Sequence, residues 1–113
     1  MDHFGDLFYS LHFHLVATIS ILATGRGSRR INATAAQRMQ TGAEVSGETL
    51  VWTVYGSADK FVARPSMTLG GITPMPVHLE APTLEGLREL LPPGLTRCDR
   101  LPDDPPVVIE TWQ

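Results

Sequence analysis

The residue types that could do chemistry in this chain are few and scattered. Cys98 is the single cysteine, and the histidines are His3, His12, His14 and His78. A nucleophilic cysteine needs a neighbouring base and surroundings that favour the thiolate. His78 is the one histidine in the part of the chain expected to fold, and nothing in the spacing joins it to Cys98. His12 and His14 are two residues apart. On a helix they diverge by about 200°, and no further ligands follow at the spacing of a zinc motif. Asp103-Asp104 is flanked by Pro102 and Pro105. Paired acids can hold a metal or move protons, but adjacent acids in a proline-rich stretch are ordinary solvated turn residues. Gly70-Gly71 is not a phosphate loop, because no Lys-Ser/Thr follows it. The expectation is therefore a non-enzymatic protein with no catalytic residue, cofactor or metal. A small enzyme using Cys98 or Asp103/Asp104 is the alternative.

The elements that would position these residues are clearest at TLEGLRELLPPG, Thr83 to Gly94. Thr83 is a suitable N-cap, and Glu85 sits where the positive end of the helix dipole favours an anion. Leu84, Leu87, Leu90 and Leu91 form an apolar face, and Arg88 and Glu89 should point away from it. Pro92-Pro93-Gly94 stops the helix. A helix this short is not stable alone in water, so its leucines need a surface to pack on. Four runs read as strands: LVWTVY (50–55), KFVAR (60–64), PVHLE (76–80) and VVIETW (107–112). Gly56-Ser57-Ala58-Asp59 suits a hairpin connection. Residues 65–76 read as a long loop, with room for a small hairpin at Gly70-Gly71. The resulting fold class is α+β: a small sheet of about four strands, β-β-β-α-β, with one short helix packed on a face. A crossover through the helix between parallel strands would be right-handed.

Alternation divides the strand residues between two faces. Phe61, Ala63, Val77, Leu79, Val107 and Ile109 are expected inward, while LVWTVY is apolar on both sides. The outward set is Tyr55, Val62, Arg64, His78, Val108, Glu110 and Trp112. One helix covers one face only, and this second set is more aromatic and aliphatic than a solvated sheet face. It is the expected interaction face, to be covered by an N-terminal helix, a homodimer partner or another protein.

The first 25 residues differ in character. Phe4, Leu7, Phe8, Leu11, Leu15, Ile19 and Leu22 recur at spacings of three and four, a helical stripe, and residues 7–25 contain no Asp, Glu, Lys or Arg. That length barely spans a bilayer. It also contains His12, His14, Ser10, Thr18 and Ser20, and its acidic-then-basic flanks oppose a secretory signal. If the stretch inserted, the basic flank would keep the rest of the chain in the cytoplasm, as an inner-membrane-anchored domain. Residues 26–48 lack a period and read as a flexible linker, leaving 49–113 as the compact domain. Asn32-Ala33-Thr34 matches a glycosylation sequon by chance. Met39 would serve as a natural start for the compact part, which raises the alternative that residues 1–38 arise from start-site choice.

Charge narrows the class of partner. Residues 1–43 carry a net of +2 and residues 44–113 a net of -5. An acidic folded part argues against nucleic acid. A lone cysteine needs no oxidising compartment, so a cytoplasmic protein is expected. The runs WTVYGSADKFVARP, TLEGLRELLPPGL and RLPDDPPVVIETW resemble a group of small bacterial proteins without known activity. The resemblance covers about residues 50–113 and implies no cofactor, substrate or catalytic residue. The expected function is a protein-interaction or self-associating module acting through the open sheet face.

Overall fold

The computed structural model describes residues 28–113. The expected apolar N-terminal helix, with its stripe, its histidines and residues 7–25, lies outside them. In order, the elements are β1 (Arg29–Arg30), α1 (Ala33–Val45), β2 (Leu50–Gly56), β3 (Phe61–Met67), β4 (Thr73–Pro74), β5 (Val77–Ala81), α2 (Leu84–Leu90), β6 (Arg97–Asp99) and β7 (Val108–Trp112). Among the described residues the fold is α+β, with seven strands in one mixed sheet. The order is β1-β5-β3-β2-β7-β6, and β4 also pairs with β3. Only the β1–β5 pairing is parallel.

The four expected strands are present as β2, β3, β5 and β7, and the sheet is wider than they alone predict. The hairpin at 57–60 joins β2 to β3, closed by the Ser57 amide donating to the Lys60 carbonyl at 2.9 Å. β3 continues through Pro65, where a loop was expected. The Pro65 carbonyl accepts from the Met75 amide. A strand residue's N–H points to the same side as its C=O, so the donor that proline lacks belongs to the side facing β4 and the ladder to β2 is intact. Gly70 and Gly71, at φ 74° and 120°, make the turn into β4. β7 runs antiparallel to β5, so the expected crossover to it does not form; the strand that follows α2 is β6, which the successive antiparallel pairings leave parallel to β5 at the far edge of the sheet.

Within the expected 26–48 linker, the described residues 28–48 carry β1 and α1. Asn32 caps α1, its side-chain oxygen accepting from the Ala35 amide at 2.8 Å. Gly47, at φ 75°, ends the helix where its amide meets the Glu44 carbonyl. The buried residues are Ala36, Gln40 and Ala43, one helical face of small side chains that allows close approach to the sheet. Gln40 accepts a buried hydrogen bond from the Trp52 indole N–H at 2.9 Å. A chain starting at Met39 would lack β1 and Ala36.

α2 begins as expected, with the Thr83 hydroxyl accepting from the Gly86 amide at 3.0 Å. A Cβ at Gly86 would sit 3.0 Å from that hydroxyl oxygen, so the glycine leaves room for the cap. Both helices pack on one face of the sheet, in a core of Ala36, Ala43, Leu50, Trp52, Val54, Ala63, Leu79, Ala81, Leu87 and Leu91.

Candidate functional site

Cross-strand partners share a face, so the pairings define the second face, opposite the helices. Val51 pairs with Ser66, Thr53 with Arg64, Tyr55 with Val62, and Val62 with Glu80. On the other side of β2, Thr53 pairs with Thr111 and Tyr55 with Val108. Tyr55, Val62, Arg64, His78 and Val108 therefore do lie together, as alternation predicts. Glu110 and Trp112 do not. Trp112 pairs with Trp52 and Glu110 with Val54, both on the helix-covered face. The cause is a β-bulge. Tyr55 and Val54 are adjacent, yet their partners are Val108 and Glu110, with Ile109 as the extra residue. The bulge reverses the alternation within five residues of strand, and counting along the sequence places the last residues on the wrong side.

The helix-side position gives Glu110 and Trp112 a structural task. Glu110 is 3 % exposed. Arg88 of α2 meets it with two hydrogen bonds, Nε to Oε2 at 2.9 Å and Nη2 to Oε1 at 2.5 Å. The Trp112 indole N–H donates to the same carboxylate at 2.7 Å, and Arg97 stands 3.9 Å away. Burial pushes the Glu110 carboxyl up, but Arg88, Trp112 and Arg97 together outweigh it and hold the group below the ordinary carboxylate range. Arg88 was expected to point away from the leucine face. Its guanidinium instead turns to the sheet and ties α2 to β7.

The second face is apolar in the middle and polar towards β5. Val51, Thr53 and Thr111 are fully buried, and Val108 packs against Tyr55 and Leu101. It is thus not an open face: its centre is withdrawn from solvent. All described strands belong to the one sheet and both described helices lie on the first face. No regular element among the described residues stacks on this side. Arg64 is also buried; its Nε donates to the Met75 carbonyl at 2.8 Å, while Nη1 has no acceptor. Burial raises the Tyr55 phenol's pKa against the opposing pull of Arg64 beside it.

Along the β5 edge runs a chain of polar contacts that spacing does not reveal. The Ser28 Oγ lies 2.7 Å from His78 Nδ1, His78 Nε2 lies 3.0 Å from Glu80 Oε1, and Lys60 Nζ is 3.6 Å from Glu80 Oε2. The His78 hydrogen bond, chiefly, lowers the Glu80 pKa, with Lys60 adding to it. Hydroxyl, imidazole and carboxylate in a line are the parts of a nucleophilic relay. The neighbouring amides are committed, however: Arg29 donates to the Pro76 carbonyl at 3.0 Å and Ile31 to the His78 carbonyl at 2.8 Å. No amide at Arg29 or Ile31 remains to hold an oxyanion, so the line works as a pin fastening the entering chain to β5. No local signal marks Ser28, because its partner is fifty residues away.

The other chemical candidates are dispersed. Cys98, on β6, is four strand positions from His78 on β5, a separation of about 19 Å. Asp103 is exposed, whereas Asp104 is buried and turned into its own loop, with Oδ2 accepting from the Leu101 amide and Oδ1 without a partner. Desolvation raises the Asp104 pKa despite that bond and Arg100. Among the described residues no group of three His, Cys, Asp or Glu is placed to hold a metal ion, and no helix is long and apolar enough to cross a membrane. No protein-family model, curated protein or solved structure matches the chain.

Proposed function

We propose that this protein acts by association, with a second copy of itself or another protein, through the second face of its sheet. The observation that carries the reading is the face itself. Val51, Tyr55, Val62 and Val108 form an apolar surface on which no described helix or strand stacks, bordered by His78 and Glu80. Val51, Val62 and Val108 are withdrawn from solvent, so a partner would meet the margin, where Tyr55 is half-buried beside His78 and Glu80, and aromatic residues are the usual anchors of such contacts. Trp112, on the other face, is no part of this surface. Light scattering of the full chain over a range of concentrations tests the reading. Tyr55, half-buried at the margin of the patch, is the residue to change. Tyr55→Arg should abolish concentration-dependent association with little change in melting point. A chain that stays monomeric throughout, with co-purifying proteins indifferent to Tyr55→Arg, would overturn it.

A further inference from the structure

We infer that the protein cuts its own chain at the Asp104–Pro105 bond, with the Asp104 carboxyl as nucleophile and Arg100 stabilising the oxyanion. The inference goes beyond the association reading and does not depend on it. Asp104–Pro105 is the chain's one Asp-Pro bond. Three parts of an acyl-transfer site meet there. The Asp104 side chain belongs to a residue only 4 % exposed, with Oδ2 accepting from the Leu101 amide and Oδ1 unpartnered. A buried oxygen without a hydrogen bond is costly to keep, and a carboxyl that reacts with its own main chain has a use for it. The Asp104 carbonyl oxygen accepts from Arg100 Nη2 at 2.7 Å, and the Pro105 carbonyl oxygen lies 3.5 Å from the same nitrogen. A guanidinium in that position stabilises the negative charge that grows on a carbonyl under attack. The leaving nitrogen belongs to Pro105, a tertiary amide without an N–H and more basic than an ordinary peptide nitrogen.

The reaction balances as a hydrolysis. One oxygen of the protonated carboxyl attacks the Asp104 carbonyl carbon and closes a succinic-type anhydride ring. The carboxyl proton passes to the Pro105 nitrogen as the C–N bond breaks, and the electron pair of that bond stays on the nitrogen. Asp104 is left as the anhydride and Pro105 as a secondary amine. Water reaches the loop past exposed Pro102, Asp103 and Pro106 and opens the anhydride to two carboxyl groups. Nucleophile and carbonyl share one residue, so little orientational freedom is lost on the way to attack. Burial lets the carboxyl keep its proton to higher pH than a solvated aspartate, against the pull of Arg100 and with the help of Asp103, the two charged groups that act on it. The freed segment, 105–113, contains β7, which lies between β2 and β6. The cut therefore turns an interior strand of the sheet into a separable peptide.

The test incubates the full natural chain, shown by circular dichroism to be folded, beside the same chain unfolded in urea, over mildly acidic to neutral pH. Intact-mass spectrometry follows the appearance of 1–104 and 105–113. At a given pH the folded chain should cleave about a hundredfold faster, the worth of one well-placed oxyanion donor. Its rate should fall as pH rises through the raised Asp104 value, while the unfolded chain follows the ordinary aspartate range. Arg100→Met should remove most of the folded chain's advantage, and Asp104→Glu, which must close a larger ring, should stop cleavage. Hydroxylamine present during the reaction should leave a hydroxamate on the side chain as well as on the main chain of Asp104, because an anhydride opens from either side. Equal rates in folded and unfolded chains would reduce the bond to the ordinary lability of any Asp-Pro pair and overturn the inference. An uncut folded chain, hydroxamate on the main chain alone, or a folded Arg100→Met protein that cleaves at the natural rate would also overturn it. If Arg100→Met does not fold, the comparison of the folded and unfolded natural chain decides.

Discussion

Glu110 shows how one carboxylate can organise two elements. It is buried, yet Arg88, Trp112 and Arg97 keep it ionised below its usual range. Its folded pKa is depressed, so its contribution is complete above the unfolded value near 4.5 and is lost as pH falls through the folded value. Glu110→Gln should lower stability at neutral pH. Arg88 is one-third exposed, so the loss should be about 1–3 kcal/mol, below the range for a fully buried pair. The variant should melt with less acid sensitivity below pH 4.5 than the natural protein. Asp104 has the opposite sign. Its carboxyl pKa is raised by burial, so ionisation opposes folding at neutral pH, and that opposition is relieved as pH falls through the raised value. Asp104→Asn keeps an oxygen for the Leu101 amide and removes the charge. Its melting point at pH 7 should equal or exceed that of the natural protein, and the gap should close in acid.

Among the elements, the two helices are held by different means. α2 uses leucines: Leu87 is fully buried beside Leu79 and Ala81. Leu87→Ala should cost about 2–5 kcal/mol, read by denaturant titration with an unchanged m-value. α1 uses close approach and a single polar contact. Gln40→Ala would leave the fully buried Trp52 indole N–H without its acceptor. That should cost about 1–3 kcal/mol, and Gln40→Glu, which restores an acceptor oxygen, should recover part of it. This difference explains why α2 is legible in the sequence and α1 is not. Leucines at helical spacing announce a face, whereas Ala36, Gln40 and Ala43 look like the small polar composition of a linker.

For the whole molecule, residues 28–45 belong to the fold. β1 extends the sheet beside β5, and α1 lays Ala36 and Ala43 into the core. Removing residues 1–38 deletes β1 and the first half of α1, along with the Ser28–His78 pin. The truncated chain should lose its cooperative melting transition by circular dichroism. A sharp transition near the full-length midpoint would show that α1 is dispensable. The sequence reading expects the opposite, because it treats residues 1–38 as separable. That expectation takes no account of α1, whose buried side chains, Ala36, Gln40 and Ala43, are too small to register as apolar.

The sequence by itself determined what depends on local pattern. It carries the β2–β3 hairpin, the strand character of β5 and β7, the Thr83 cap and the leucine face of α2, since caps, turns and periods are written in adjacent residues. It also places Tyr55, Val62, Arg64, His78 and Val108 on one side, since these follow the regular alternation of a strand. Only the tertiary structure decided where Glu110 and Trp112 go. One extra residue, Ile109, is accommodated in the pairing of β7 with β2, and a bulge is a property of two strands rather than of one. The same holds for the contacts that close the fold: Arg88 with Glu110, Trp52 with Gln40, and Ser28 with His78. Each joins residues far apart in the chain, and the energy that selects them exists only once the sheet has brought them within hydrogen-bond reach.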